Sequence, residues 1–153
     1  MRRSAHLLSA VACSILTASC GIMSKTPTVM QGSIKAAPTT NPDPRGRPSP
    51  IVVRVYELKS VSAFNNADFF SLFDKDSETL GGDLVGREEY DMRPDETRPY
   101  RRQLQPETKF VGVVAAFRDL EKSQWRQAVA VPSKRRVDLT IGIEAQAVTM
   151  TVK

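Results

Sequence analysis

The densest polar segment of this 153-residue chain is an acidic run, Asp74-Lys75-Asp76-Ser77-Glu78, with Asp83 downstream. Alternating acidic residues open a calcium-binding loop, but such a loop needs glycine at its sixth position and a bidentate glutamate at its twelfth. Here these positions hold Thr79 and Val85. The run therefore predicts a solvated helix end rather than a calcium site.

The first twenty residues have the pattern of an export signal. Two arginines near the start precede a short apolar stretch, and Thr17-Ala18-Ser19 places small residues before Cys20. This arrangement resembles a bacterial lipobox, although Thr17 occupies the position where Leu is usual. We expect a signal peptide over residues 1–19, lipid on Cys20, and a tether over 20–28. A signal peptide without lipidation and a buried amphipathic first helix are the alternatives.

Cleavage before Cys20 would remove most of the reactive side chains. It takes away His6 and Cys13, which are the one histidine and the other of the two cysteines. Without histidine a Ser-His-Asp or Cys-His arrangement cannot be built, and zinc loses its commonest ligand. We therefore expect no enzyme, no metal and no cofactor besides the lipid on Cys20. No internal disulfide can form either, so the core must come from apolar burial.

Basic residues form two clusters: Arg98, Arg101 and Arg102, and then Lys134, Arg135 and Arg136. A nucleic-acid interface would need aromatic stacking platforms among them, and an exported protein would not meet nucleic acid. The clusters predict strand and turn surface, with an acidic partner or lipid headgroups as the alternative.

The sequence is 41% hydrophobic and 25% charged, which are the proportions of one ordinary globular domain. Residues 29–153 have the pattern of an all-β fold. The near-continuous apolar run at 109–117 predicts a central strand buried on both faces. We expect 125–131 and 137–143 to pair as a hairpin and Trp125 to lie in the core. The alternating segments predict a β-sandwich, with strands near 29–37, 51–58, 87–92, 100–104, 109–117, 125–131, 137–143 and 148–152.

Two segments interrupt this alternation. Residues 62–80 hold four of the six phenylalanines at three- and four-residue spacings, with Ser62 or Asn66 as candidate caps and Gly81-Gly82 after them. They predict a small helical insertion packed on the sheet. Residues 38–50 contain five prolines, which cannot donate to a strand ladder. They predict a long loop, and such loops are usually functional, with a passive connection as the alternative.

A family resemblance rests on the lipobox and three later segments in order: PIVVRVYELK, SAFNNADFFSLFDKDSETLGGDL and KFVGVVAAFRDLEKSQWR. Over about residues 29–153 these resemble the TssJ family, the outer-membrane lipoproteins of the bacterial type VI secretion system. The chain departs from the family pattern at Pro94-Asp95, where Pro-Gly is common. This departure concerns the geometry of one turn.

The resemblance implies a transthyretin-like two-sheet β-sandwich with a small helical insertion, lipid-anchored to the periplasmic face of the outer membrane. Members bind the periplasmic C-terminal domain of TssM, which works with TssL, so TssL would be an indirect partner. In the family, the loop between the first two strands is associated with TssM binding. Here that loop is 38–50, and the predicted contact residues are Asn41, Asp43, Arg45 and Arg47. The implied role is scaffolding.

Two other classes of function remain as alternatives. One is a periplasmic ligand- or glycan-binding sandwich lipoprotein with a cleft beside Trp125 or the helical insertion. The other is a glycosidase using Asp68, Asp74 or Glu78, which is weakly supported because a sugar hydrolase needs two carboxylates facing each other across a cleft.

Overall fold

The computed structural model describes residues 27–133 and 135–153. The predicted signal peptide, Cys20, most of the tether and Lys134 lie outside these residues. Within them, no helix is long and apolar enough to cross a membrane. The eight strands are β1 (Val29–Ala36), β2 (Ile51–Leu58), β3 (Leu84–Met92), β4 (Thr97–Gln103), β5 (Phe110–Ala115), β6 (Arg126–Ala130), β7 (Arg136–Ile143) and β8 (Val148–Val152).

The strands form two four-stranded sheets, which confirms the predicted β-sandwich. The first sheet has the order β4-β1-β7-β8 and the second β3-β2-β5-β6. β1 runs antiparallel to β4 and parallel to β7, and the other neighbours are antiparallel. Antiparallel pairing suits strands that carry one buried face, as the alternation predicts.

The predicted hairpin of 125–131 with 137–143 is wrong. β6 pairs with β5 in the second sheet, whereas β7 lies between β1 and β8 in the first. The connection between them carries the chain across the sandwich. Alternation identifies which face of each strand is buried, but both strands would bury the same faces in either pairing.

Two hydrophobic cores flank the second sheet. The core between the sheets takes Ile51, Val53 and Val55 from β2 and Val111, Val113 and Ala115 from β5. A second core lies between the outer face of this sheet and the helices, and its buried members are Tyr56, Leu58, Phe64, Leu72, Leu80 and Val114. Residues 111–115 are all buried, which confirms the prediction of a strand buried on both faces.

The helical insertion is confirmed as three short helices, α1 (Ser62–Asn66), α2 (Phe69–Asp74) and α3 (Asp76–Leu80). The predicted caps are wrong. Asp68 caps α2 by accepting hydrogen bonds from the Ser71 N–H at 2.9 Å and hydroxyl at 2.6 Å. An aspartate fills this position well because its carboxylate takes one of the unpaired N–H groups of the first turn. Gly81, at φ 50°, ends α3 as expected.

Asp76 departs from the predicted solvated helix end. Its neighbours from Asp74 to Glu78 are exposed, but Asp76 is buried. Its carboxylate pairs with Arg87 of β3 and accepts a hydrogen bond from the Ser77 N–H at 2.7 Å. Burial alone would raise the pKa of Asp76, but the hydrogen bond and charge of Arg87 outweigh it and hold the pKa below the ordinary 3.8.

Arg102 also departs from the predicted surface role. From β4 of the first sheet, its Nε donates to Glu57 Oε1 at 2.8 Å and its Nη1 to Glu88 Oε1 at 2.7 Å, both in the second sheet. Glu57 is buried, and its Oε2 accepts from the Thr108 hydroxyl at 2.7 Å and the Gln105 N–H at 3.0 Å. This network ties the two sheets together beside β3 and β4.

The turn between β3 and β4 explains the glycine of the family pattern. Asp95 has φ 62°, and the Glu96 N–H donates to the Arg93 carbonyl at 3.1 Å. A turn with proline followed by a residue of positive φ favours glycine at that second position. Aspartate tolerates this conformation better than most side chains, so the turn forms despite the departure.

The first prediction concerns Gly112 on β5. A Cβ there would lie 2.8 Å from Cζ of Phe64, which is fully buried in the second core. Gly112→Ala should therefore destabilise the fold by about 1–3 kcal/mol, as overpacking does. Urea denaturation measures this, with Gly82→Ala as the matched control because nothing lies within 4 Å of a Cβ there. Equal stability of the two variants would contradict the packing described.

The second prediction concerns the pH dependence contributed by Asp76. Because its pKa is lowered on folding, its ion pair adds stability above the ordinary pKa of 3.8, and this is lost as the pH falls through the folded value. The difference in unfolding free energy between wild type and Asp76→Asn should be constant near neutral pH and shrink in acid. Asp74→Asn, at an exposed neighbour, is the control. A difference that does not change with pH would refute the ion-pair role.

Candidate functional site

The predicted partner loop lies at one end of the sandwich. Residues 37–50 leave β1 in the first sheet and enter β2 in the second. Strand direction brings three other connections to this end: 93–96, 116–125 and 144–147. We call this the loop end. The chain therefore crosses between sheets where three neighbouring segments can hold it.

The base of the loop is buried and fully hydrogen-bonded. The Thr40 hydroxyl donates to the Ile143 carbonyl at 2.6 Å. Asn41 is 3% exposed, and its amide donates to the Pro50 carbonyl at 2.8 Å and accepts from the Arg118 N–H at 2.8 Å. The Asn41 backbone, at φ 50°, also donates to the Ala145 carbonyl at 3.0 Å. Asn41 thus joins the loop to the segments after β5 and β7.

The tip of the loop closes on the carboxylate of Asp43. Oδ1 accepts from the N–H groups of Arg45 at 2.8 Å and Arg47 at 3.0 Å, and Oδ2 pairs with Arg47 Nε at 2.8 Å and Nη2 at 2.7 Å. The Asp43 N–H donates to the Arg47 carbonyl at 2.8 Å. The backbone hydrogen bond from Arg47, followed by its side-chain hydrogen bond, lowers the pKa of Asp43. The tip is therefore held in one shape by its own residues.

The four predicted contact residues divide into two pairs. Asn41 is buried, and the Asp43 carboxylate is occupied inside the turn, so both position the loop. Arg45 is exposed, and 71% of the Arg47 side chain is exposed although it pairs with Asp43. Only the two arginines present free surface to a partner.

Arg118 is a residue of this site that the sequence reasoning missed. It is exposed, its N–H holds Asn41, and its charge helps to lower the pKa of Asp43. The available indication was its position directly after the buried run that ends at Phe117, where a strand leaves the core. With Arg45 and Arg47 it makes three exposed arginines at the loop end, and guanidinium groups suit carboxylate and carbonyl acceptors.

The carboxylates named for glycoside hydrolysis do not form a catalytic pair. Asp68 caps α2, and its hydrogen bonds to Ser71 lower its pKa, opposite to what a general acid requires. Asp74 and Glu78 are exposed at the helical insertion. In the described parts of the chain, no group of three or more His, Cys, Asp or Glu side chains could hold a metal ion.

Trp125 lies at the junction of the two cores and is only partly buried there. The prediction that it packs in the core is therefore right in its contacts and too strong in its burial. Its ring meets Phe69 edge-on at 5.3 Å and the Arg126 guanidinium at 4.6 Å. An open groove of about 510 Å³ runs beside it between β6 and β8. This groove lies where the glycan-binding alternative places its cleft, beside Trp125.

Comparison with known proteins agrees with the resemblance noted in the sequence. The family model T6SS-SciN, described as type VI secretion lipoprotein, VasD, EvfM, TssJ, VC_A0113, matches residues 28–146. TssJ1 from Pseudomonas aeruginosa, a type VI secretion lipoprotein, matches with a TM-score of 0.80 and 42% identity, covering 83% of this chain and 97% of that one. No curated protein sequence matches the chain.

Two further solved structures are similar. A chain of a type VI membrane complex matches with a TM-score of 0.71 and 26% identity, over 81% of this chain and 98% of that one. A chain from a structure described as the T6SS protein TssM C-terminal domain (869–1107) from EAEC matches with a TM-score of 0.66 and 26% identity, over 80% of this chain and 97% of that one.

The family match spans most of the chain, and TssJ1 shares both its fold and close to half of its aligned residues. The chain therefore belongs to the TssJ family of type VI secretion lipoproteins.

Proposed function

We propose that this protein is a scaffold that is lipid-anchored through Cys20 to the periplasmic face of the outer membrane. Its loop end binds the periplasmic C-terminal domain of TssM, and TssL is reached only through TssM. The observation that carries the proposal is the 37–50 loop, which has a buried, hydrogen-bonded base and a self-closed tip that presents Arg45 and Arg47.

The rigidity of the loop supports a recognition role. A loop that is ordered only on binding loses conformational entropy, which weakens the complex. Here five prolines, the Asn41 hydrogen bonds and the Asp43 turn restrict the loop before any partner arrives. Arginine at its tip fits because a planar guanidinium forms paired hydrogen bonds and is enriched at interfaces.

The EAEC structure supports the identity of the partner by similarity. The alignment covers 97% of the matched chain but only 80% of this one, so the matched chain is shorter than 153 residues. The TssM fragment 869–1107 is longer than that. The matched chain thus has the length of a TssJ-type domain in a structure named for TssM.

The geometry also suits a scaffold that joins two sites. Pro27 and Thr28 lead into β1 at one end of the sandwich, and β1 ends next to the loop at the other. The chain that carries the proposed lipid anchor therefore joins the domain at the end opposite the proposed TssM contact.

The third prediction tests the anchor. Cys20→Ser removes the sulfur to which the lipid is proposed to be attached. The protein should then be found in soluble fractions or remain uncleaved, because stable membrane attachment requires more than one acyl chain. Fractionation of cell envelopes and a secretion assay measure this. Normal recovery of the variant in the outer membrane would refute lipid attachment at Cys20, and recovery of wild type in the inner membrane would refute the proposed location.

The fourth prediction tests the loop. Arg45→Ala should weaken binding to the TssM periplasmic domain by about tenfold, or about 1.4 kcal/mol, because interface arginines are common hot spots. Arg45→Ala combined with Arg47→Ala should weaken it further, since Arg47 also holds the tip through Asp43. Calorimetry measures affinity, and circular dichroism checks folding.

Arg101→Ala is the matched control, because Arg101 is an exposed arginine of β4, distant from the loop. It should bind like wild type. Full affinity of the double variant would move the contact away from the loop tip, first to the helical insertion, where Phe70 is 64% exposed.

A further inference from the structure

We propose that the end of the sandwich opposite the loop end docks on anionic phospholipid headgroups. This end, here called the tether end, comprises residues 27–28, 59–61, 81–83, 104–109, 131–133, Arg135 and Lys153. The inference rests on the proposed lipid attachment at Cys20 and adds a second, noncovalent contact with the same membrane.

The length of chain between the lipid and the domain keeps the tether end near the bilayer. Pro27 is the first described residue and lies seven positions after Cys20. Seven residues span at most about 25 Å when fully extended. When this segment is not extended, the tether end can come within the roughly 8 Å over which a charged surface acts at physiological salt.

The two ends of the sandwich differ in charge. In sequence, the connections of the tether end and Lys153 hold five basic residues and two acidic ones: Lys59, Lys109, Lys134, Arg135 and Lys153 against Asp83 and Glu107. The connections of the loop end hold five basic residues and six acidic ones: Arg45, Arg47, Arg93, Arg118 and Lys122 against Asp43, Asp95, Glu96, Asp119, Glu121 and Glu144. Only the tether end has a strong excess of positive charge.

The basic side chains of the tether end are placed to meet a surface. Lys59, Lys109 and Lys153 are exposed, and no ion pair involves them among the described residues. They come from three separate segments, after β2, before β5 and after β8. Because these segments meet at one end of the sandwich, their charges sum on one face.

A groove of about 460 Å³ opens on this face. Its lining combines apolar side chains, polar side chains and the two basic residues Lys109 and Arg135. The apolar ones include Pro27, Leu104, Pro106 and Val131, and the polar ones are Thr28, Gln105, Thr108 and Ser133. A lining of apolar, hydroxyl, amide and basic side chains suits the upper part of a phospholipid, where a phosphate lies next to the first acyl carbons. Pro27 is both a wall of the groove and the entry of the tether, so lipid is the occupant that lies within reach.

The experiment uses the full lipidated chain in vesicles of phosphatidylcholine, alone or mixed in equal parts with phosphatidylglycerol. After processing, Cys20 is the one cysteine of the chain, so an added cysteine takes a polarity-sensitive dye selectively. Ser133→Cys reports on the tether end, and Thr39→Cys, also exposed, reports on the loop end.

We expect the Ser133 dye to shift to the blue only with phosphatidylglycerol and to return when salt is raised, while the Thr39 dye does not respond. Each basic residue near an anionic surface favours docking about fivefold, so Lys59→Gln, Lys109→Gln and Lys153→Gln together should lower the docking equilibrium constant about 100-fold. The matched control combines Lys35→Gln, Arg93→Gln and Lys122→Gln at three residues that are exposed near the loop end. This variant should behave like wild type.

The outcomes separate this inference from the proposed anchor. Equal dye emission in both kinds of vesicle, or a triple tether-end variant that behaves like wild type, would overturn the docking surface. Failure to sediment with phosphatidylcholine vesicles would instead count against the anchor. In that case, if the protein sediments with the phosphatidylglycerol vesicles and this depends on the three lysines, the docking surface is supported. If the protein does not sediment with these vesicles, the docking surface is overturned.

Discussion

The second sheet has to be apolar on both faces, and the rest of the architecture follows from this constraint. Its inner face packs on the first sheet and its outer face on the helices. Gly112 is needed because the ring of Phe64 lies directly on β5. The polar groups that cross the outer face must find partners there, since an unpaired buried polar group is costly. Arg126 does so by donating to the Phe64 carbonyl at 2.9 Å.

Arginines at the margins of the cores hold the layers in register. Arg102 joins the first sheet to Glu57 and Glu88 of the second. Arg54 of β2 donates to the Phe73 carbonyl, and its guanidinium lies 3.9 Å from the Phe73 ring, so it joins the second sheet to α2. Partly buried ion pairs such as those of Arg102 add little net stability, because desolvation offsets their attraction. Their contribution is to orientation, since each layer has one position in which the charges are satisfied.

Hydrophobic periodicity predicted the faces of the strands correctly and their partners incorrectly. The alternation of β7 identified its buried residues, but the choice of sheet for β6 and β7 depends on hydrogen bonds to strands distant in sequence. The burial of Asn41, a predicted contact residue, also depends on a distant partner. Its amide is held by Arg118, 77 residues away, and no local pattern reveals such a partner. Asp76 of α3 was misassigned because Arg87 of β3 and Tyr56 of β2 reach it from two strands of the second sheet.

The position of β1 gives the two proposed contacts a mechanical connection. β1 begins beside the tether and ends in the partner loop, and it pairs with β4 through seven residues and with β7 through eight. At Gly32 it runs so close to β7 that a Cβ would lie 1.8 Å from the Leu139 carbonyl oxygen. Tension between the membrane and a partner on the loop would load β1 along its length. The hydrogen bonds of both ladders would then resist the sliding of β1 at the same time, rather than breaking one after another. Because β1 lies between β4 and β7, two ladders share this load. An edge strand would have only one ladder to carry it.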